Sequence, residues 1–283
     1  MLFRILVYID QTTRGQWSLT LSKEIVSGMD AGVILLTTEE NHQKAPDLLE
    51  STAAEITAAT GRDVTTRVRP GPPREAILKE SHASSPAITI FPPAGRSSLA
   101  RMFKGSRVRT VVHNSPSTVM VARQPVSDSI RHVLVSVSGG PMSQTTLLSA
   151  HEVVQALDSE LTVLHVKSSV VLPNSAPAEK PEKREAEVPE IPKLLAQLPW
   201  HEGKEPKLEI REGMVVREIL EECQRGHYDL LILGQHLATK DSGGPLSQNL
   251  AELLAMESPI PVLIVRPRRW ATGVKLREET QEH

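Results

Sequence analysis

The chain has 283 residues, of which 39% are hydrophobic and 23% charged, proportions typical of a folded globular protein rather than a disordered or fibrous one. Its 32 Lys and Arg residues nearly balance its 34 Asp and Glu residues, which argues against DNA as a partner, and its single cysteine excludes an intrachain disulfide. Because no apolar run approaches the roughly 18 residues of a membrane span and the first residues lack the pattern of a signal peptide, we expect a cytoplasmic protein without membrane contact.

Predicted strands and helices alternate from the first residues onward. The apolar run LFRILVYI (2–9) is typical of a buried strand and stops at Asp10. Apolar residues four apart between Trp17 and Met29 predict a helix after it. Further strands are predicted at VILLTT (33–38), VTTRVR (64–69), AITIF (87–91) and STVMVA (117–122).

Four blocks of this first half recur later in the same order. They are ILVYID (5–10) as VLVSVS (133–138), VILLTT (33–38) as LTVLHV (161–166), VRPGPPREAIL (68–78) as IREGMVVREIL (210–220), and SPSTVMVAR (115–123) as SPIPVLIVR (258–266). The numbering of the two copies differs by 128 in the first two blocks, by 142 in the third and by 143 in the fourth. A fixed order of matching blocks is the signature of a tandem duplication. We therefore predict two domains, 1–126 and 127–283.

Strands that alternate with helices of this length predict an α/β fold in each half. We expect two tandem doubly wound domains, each a five-stranded parallel sheet of order 3-2-1-4-5 flanked by helices. The extra residues of the second half fall in an insertion near 168–206. Because much of this insertion is rich in proline and charge, we expect it to be a mobile surface segment.

Catalytic and metal-binding motifs are missing from the sequence. It contains no G-x-x-x-x-G-K-[ST] and no G-x-S-x-G, and its ten histidines form no H-x-x-x-H pair. Cys223 lies on an apolar helical stripe, where a cysteine is usually a small core residue. No residues are spaced as a nucleophile with its base, so we expect no enzyme, with slow ATP hydrolysis left open.

A loop after the fourth predicted strand could hold a phosphate. Gly95 is separated by nine residues from Gly105 and Ser106, at the start of a predicted helix where backbone N–H groups attract anions, and Arg107 adds positive charge. In the expected strand order, the first and fourth strands are neighbours at the point where ligands bind in such sheets. Asp10 and this loop would then flank one crevice. The alternatives are a helix start capped by Ser106 and a solvated charged face.

These residues resemble the universal stress protein family over nearly the whole chain, as two copies. ILVYID (5–10) and PVLIVR (261–266) match the family's first strand and its terminal strand. Gly95, Gly105 and Ser106 match the last three positions of its nucleotide motif G-2x-G-9x-G-(S/T), while Pro92 stands where the first glycine belongs. The resemblance implies that Asp10 contacts the base of ATP and that Thr38 lies beside the adenine.

The second half departs further from the motif. Ser138 replaces the aspartate, and although Gly234 keeps the first glycine, Leu237 occupies the place of the second. Gln248 and Asn249 stand in place of Gly-Ser. A branched side chain and a long amide would crowd the space that phosphates need, so we expect ATP in the first half only.

The resemblance implies a stress-response or regulatory protein that binds ATP without fast catalysis. The alternative is a nucleotide-free adaptor in which both sites have decayed and a surface binds another protein. The family's domains pair through their fifth strands, so STVMVA (117–122) and PVLIV (261–265) are expected to meet within one chain as an intramolecular pseudo-dimer. Assembly of two chains into a homodimer is equally open, and the protein partner is not specified by the sequence.

Overall fold

The computed structural model of the chain describes residues 3–39, 45–94, 107–125, 127–140, 142–168, 190–235 and 245–266. The strands in these residues are β1 (Arg4–Tyr8), β2 (Gly32–Thr38), β3 (Val64–Arg69), β4 (Ile88–Phe91), β5 (Thr118–Val121), β6 (His132–Ser136), β7 (Glu160–Ser168), β8 (Lys207–Gly213), β9 (Leu230–Gly234) and β10 (Val262–Val265). The helices are α1 (Thr13–Met29), α2 (Ala45–Thr60), α3 (Pro73–Ser84), α4 (Arg107–Asn114), α5 (Met142–Leu157), α6 (Glu190–Ala196), α7 (Val215–Arg225) and α8 (Pro245–Glu257).

The strands form one sheet in the order β3-β2-β1-β4-β5-β10-β9-β6-β7-β8. All pairs within each half are parallel, and helices cover both faces, so the predicted α/β class with two doubly wound units is confirmed. The sequence predicts one sheet for each half, whereas the structure joins the two edge to edge through antiparallel pairing of β5 with β10. The open edges of β5 and β10 thereby pair with each other, which removes two sites for unwanted strand pairing.

The strand registers of the two halves match residue by residue. In the first half Ile5 pairs with Val33 and Ile88, and in the second half its equivalent Val133 pairs with their equivalents, Leu161 and Leu230. At the junction of the halves, the central pair of β5 and β10 joins Met120 to Leu263. These two residues align with each other in the fourth repeated block, as a twofold axis through the pair requires.

The sheet separates two layers of core. Along β1, Ile5 and Val7 face the layer that includes α1 and α5, whereas Leu6 and Tyr8 face the layer that includes α4 and α8. Side chains that alternate between faces and are apolar on both are typical of a parallel strand buried between helices. Helices α1 and α5 also contact each other closely at Gly28, where a Cβ would lie 2.5 Å from the Ala156 carbonyl oxygen.

Two equivalent arginines tie the halves together. Arg123, after β5, donates to the carbonyl oxygens of Ala255 and Met256 near the end of α8, both at 2.6 Å. Arg266, after β10, donates to the Val112 and His113 carbonyls near the end of α4, at 2.5 and 3.0 Å. The last carbonyls of a helix have no partner within it and carry partial negative charge, so each arginine caps a helix of the other half.

The same interface contains an ion pair between equivalent positions. The buried carboxylate of Glu252 on α8 lies 3.2 Å from Nε of Arg109 and 3.1 Å from Nδ1 of His113, both on α4. Arg109 and Glu252 occupy the same position in the two halves when α4 is aligned with α8. Two copies of one half would bring like charges together at this point, whereas the duplicated chain brings opposite charges together.

Part of the insertion near 168–206 differs from the mobile surface segment predicted for it. Residues 190–206 include α6, and Ile191, Leu195 and Leu198 in this stretch are buried in the core. The indole N–H of Trp200 donates to the Leu195 carbonyl at 2.8 Å. The apolar residues recur at helical spacing, a pattern that the overall proline and charge content conceals. The most proline-rich part, 174–188, lies outside the described residues.

Glu152 on α5 predicts a pH dependence of stability. Burial raises the pKa of its carboxyl from 4.5 to about 7, so between these values the folded state binds more protons than the unfolded state. The free energy of unfolding contributed by this group therefore falls as pH rises from about 4.5 to 7. We expect Glu152→Gln to be about 1–2 kcal/mol more stable than the wild type at pH 8, with little difference at pH 4.

The equivalent residue Glu24 provides the matched control for this prediction. Its carboxylate accepts a hydrogen bond from the backbone N–H of Ile130, which lowers its pKa against the larger upward effect of burial. Glu24→Gln is therefore expected to gain less stability at pH 8, or to lose some. Urea unfolding at both pH values measures the two variants, and a Glu152→Gln variant without any gain at pH 8 would contradict the assignment.

Candidate functional site

The turn after β1 is built around the buried carboxylate of Asp10. Oδ1 of Asp10 accepts hydrogen bonds from the backbone N–H of Thr12, at 3.1 Å, and from the Thr12 hydroxyl. Thr12 is the N-cap of α1, and its hydroxyl in turn accepts from the Gly15 N–H at 3.2 Å. Strand, turn and helix start are thus connected through one side chain, which fixes the position of the carboxylate at the end of β1.

Gly15 allows this turn to close. A Cβ at this position would clash with the Asp10 carbonyl oxygen and lie 2.9 Å from Oδ1, so any side chain would displace Asp10. The equivalent residue of the second half is Ser143, and its hydroxyl accepts from the Gly139 N–H at 2.9 Å. The two halves therefore have different geometry at the same turn.

Arg107, the first residue of α4, reaches across to Asp10. One guanidinium nitrogen lies 3.9 Å from Oδ2 of Asp10 and donates to the Pro92 carbonyl at 3.3 Å. The guanidinium carbon lies 5.2 Å from the centre of the Tyr8 ring, within the range of a cation–π contact. Only 14% of the arginine side chain is exposed. A cation, a carboxylate and an aromatic ring therefore meet where β1 and β4 end.

Thr38 is the last residue of β2 and is buried. Tyr8 pairs with Leu36, so Asp10 and Thr38 each lie two residues beyond this pair, at the same edge of the sheet. The neighbouring Thr37 hydroxyl donates to the Ile9 carbonyl at 2.9 Å and fixes the end of β2 against β1. Thr38 therefore lies at the same edge of the sheet as Asp10 and Arg107, where the crevice is predicted.

At the corresponding place in the second half, side chains pack closely against the backbone. Ser138, in place of the aspartate, accepts from the Gly140 N–H at 3.3 Å. A Cβ on Gly234 would clash with the Thr146 hydroxyl, so the close approach of that side chain accounts for the glycine. His165, equivalent to Thr37, donates through Nδ1 to the Val137 carbonyl at 3.0 Å. No carboxylate or guanidinium takes the place of Asp10 and Arg107 among these residues.

Comparisons with known proteins decide the family. The model of the universal stress protein family matches residues 18–123 and again 129–266. The chain belongs to this family. A universal stress protein of Archaeoglobus fulgidus DSM 4304 is 19% identical, with a TM-score of 0.68 over 93% of this chain and 96% of that one. A protein of Pseudomonas aeruginosa UCBPP-PA14 described as a member of the same family is 18% identical, with a TM-score of 0.71 over 94% of each chain.

At these identities the solved structures show the fold shared across the universal stress protein family. None of the curated proteins matches the sequence. In the part of the chain that the structure describes, no helix is both long and apolar enough to cross a membrane. Within the same residues, no cluster of three or more His, Cys, Asp and Glu side chains could hold a metal ion.

Of the residues predicted to bind nucleotide, the structure brings together three. Asp10, Thr38 and Arg107 lie at the carboxyl ends of β1 and β2 and the start of α4. Gly95, Gly105 and Ser106 lie outside the described residues, as does Leu237 of the second half. Gln248 and Asn249 lie within α8.

Three residues of the crevice were missed by the sequence analysis. Tyr8 was read only as part of the buried strand ILVYID, and Thr12 and Gly15 lie outside the segments quoted for the family. The available signal was Gly15 itself, whose equivalent in the second half is Ser143. A glycine in a helix lowers the stability of the helix, so its presence indicates a place where a side chain would not fit.

Cys223 has no reactive character. It is buried on α7, and burial raises the pKa of its thiol to about 12, so it remains protonated at neutral pH. Its interpretation as a core residue agrees with its contacts to the layer that includes Ile219 and Tyr228.

Proposed function

We propose that the first half of this universal stress protein binds an adenine nucleotide, with ATP as the preferred ligand, in the crevice between the ends of β1 and β4. The observation that carries the proposal is the buried carboxylate of Asp10 at this point of the sheet. The protein would act as a stress-response or regulatory protein without fast catalysis. Its partners would be the nucleotide and another protein, and its location the cytoplasm.

The topology supports this choice of crevice. In the first half, β2 lies on one side of β1 and β4 on the other, so the chain reverses its direction of sheet growth between them. Ligands of open parallel sheets bind at the carboxyl ends of the strands at such a reversal. Helix α4 begins beside it, and the start of a helix favours anionic groups such as phosphates.

Hydrogen bonding at Asp10 supports a role in binding the base. Oδ1 accepts from two groups of Thr12, while Oδ2 faces the crevice and Arg107. A carboxylate oxygen held in this way accepts well from the exocyclic amine of an adenine, and a buried acceptor gives more discrimination than an exposed one.

Differences between the halves support one site for each chain. The second half lacks the aspartate at Ser138, and at Gly234 the small residue is required by Thr146. We therefore propose that the second half is a structural partner, which holds α4 through Arg266 and Glu252.

A second candidate is the nucleotide-free adaptor, and Pro92 is the observation that favours it. Proline has no backbone N–H to offer to a phosphate, and the Pro92 carbonyl already accepts from Arg107. In this alternative, Asp10 and Arg107 would form a structural pair, and the protein would act through a surface alone.

Calorimetric titration with ATP separates the two candidates. We expect one ATP for each chain, and a loss of at least about tenfold in affinity for Asp10→Ala, because a hydrogen bond to a charged group is removed. Ser138→Ala, the matched change in the second half, should leave the affinity unchanged. Absence of binding by the wild-type protein would favour the adaptor, and equal losses in both variants would contradict the assignment to the first half.

A further inference from the structure

Arg107 lies at the place where the nucleotide would bind. Its guanidinium lies between Asp10 and the Pro92 carbonyl and against the ring of Tyr8. We propose that Arg107 closes this crevice when no ligand is bound, and that it restricts the crevice to adenine ligands that carry phosphate. The inference rests on the proposed function and concerns the selectivity of the same site.

The contacts of Arg107 require the shape of a guanidinium. A planar group with several N–H donors can lie against an aromatic ring while it donates sideways to a carbonyl and approaches a carboxylate. All three partners are buried, at the ends of β1 and β4, where water competes little. The arginine therefore substitutes for a ligand, since it uses the carboxylate that the base of a nucleotide would use.

A ligand that reaches Asp10 must displace this guanidinium. Displacement leaves a buried side chain of positive charge without its carboxylate, and an unpaired charge in such a place is unfavourable. Phosphate oxygens offset the loss, because they accept paired hydrogen bonds from arginine. A nucleoside offers no such group. The crevice should therefore bind adenosine weakly and phosphorylated adenosine well.

The second half shows that Asp10 and Arg107 belong together. Equivalent hydrogen bonds end α4 and α8, from Ser115 to Val111 and from Ser258 to Leu254, and these bonds align the two helices residue by residue. Residue 107 is then equivalent to Leu250, a half-buried apolar residue, and residue 10 to Ser138. The half that lacks the carboxylate also lacks the guanidinium, as expected if the two side chains act together.

The test compares ATP with adenosine in calorimetric titrations of the full chain. In the wild-type protein we expect ATP to bind at least about tenfold more tightly than adenosine. In Arg107→Ala the competing group is absent, so adenosine should bind about tenfold more tightly than to the wild type, and the preference for ATP should fall by about tenfold or more. Arg107→Lys keeps the charge without the planar fork and should retain part of the preference.

Arg217→Ala is the control, because Arg217 is exposed and pairs with Glu221 on the surface of the second half. It should change neither affinity, and thermal unfolding verifies that each variant is folded. Binding of ATP or adenosine by Arg107→Ala but not by the wild type would contradict the selectivity for phosphate and favour the nucleotide-free adaptor. If the wild type binds ATP but Arg107→Ala binds adenosine no better, the inference is wrong and the proposed function stands. If neither protein binds either compound, both are wrong.

Discussion

Replacing Arg69 by methionine is expected to lower the free energy of unfolding by about 3–5 kcal/mol at pH 7, because the change leaves a buried carboxylate without its partner. Arg69 ends β3 and contacts Oε2 of Glu80 on α3 through two nitrogens, at 2.8 and 2.6 Å. The glutamate side chain is 3% exposed and the arginine 28%. Methionine keeps most of the aliphatic packing, so urea unfolding of Arg69→Met reports mainly on the lost charge.

The duplication supplies the comparison for this prediction. Arg211 pairs with the buried Glu222 at the equivalent positions of the second half, so Arg211→Met should cause a loss of similar size. Arg217 pairs with Glu221 on the surface and is 69% exposed, so Arg217→Met should leave stability unchanged. Losses for Arg69→Met and Arg211→Met no larger than that of Arg217→Met would contradict a stabilising role for the buried pairs.

Replacing Asp229 by alanine is expected to cost about 3 kcal/mol and to release the segment between the halves, because three hydrogen bonds to a charged group are lost. Oδ2 of Asp229 accepts from the backbone N–H groups of Arg131 and His132, at 2.9 and 3.0 Å. Oδ1 accepts from the Ser127 hydroxyl at 2.6 Å. Each hydrogen bond to a charged group contributes about 1.5–3 kcal/mol, and the loss is partly offset because water reaches the freed donors.

Limited proteolysis measures the second part of this prediction. Asp229→Ala should be cut within 122–131 at protease concentrations that leave this segment of the wild type intact. Ser127→Ala removes one of the three hydrogen bonds and should have a smaller effect on both stability and cleavage. An Asp229→Ala variant that is as resistant as Ser127→Ala would show that other contacts hold the segment.

The layout of the fold was accessible from the sequence because hydrophobic patterning and the duplication determine it. Blocks such as ILVYID and VLVSVS mark equivalent strands, and the alignment of these blocks reappears in the strand registers. The meeting of STVMVA with PVLIV was expected only from the family resemblance. Nothing in these two segments specifies that their edges pair through backbone hydrogen bonds, so the single ten-stranded sheet required the structure.

The candidate site was accessible only in part, because its geometry depends on contacts between distant segments. Asp10 follows from its place at the end of a strand. The approach of Arg107 to Tyr8 and Asp10 does not, since it depends on where the start of α4 lies relative to the end of β1. The same applies to Asp229, whose hydrogen-bond partners lie far earlier in the chain, at the start of the second half.

Native mass spectrometry of the full chain with added ATP tests most directly the claim that this universal stress protein binds one nucleotide, in its first half. We expect a mass increase of one ATP for each chain, lost in Asp10→Ala and kept in Ser138→Ala. Two bound nucleotides, none, or an increase that persists in Asp10→Ala and disappears in Ser138→Ala would contradict it.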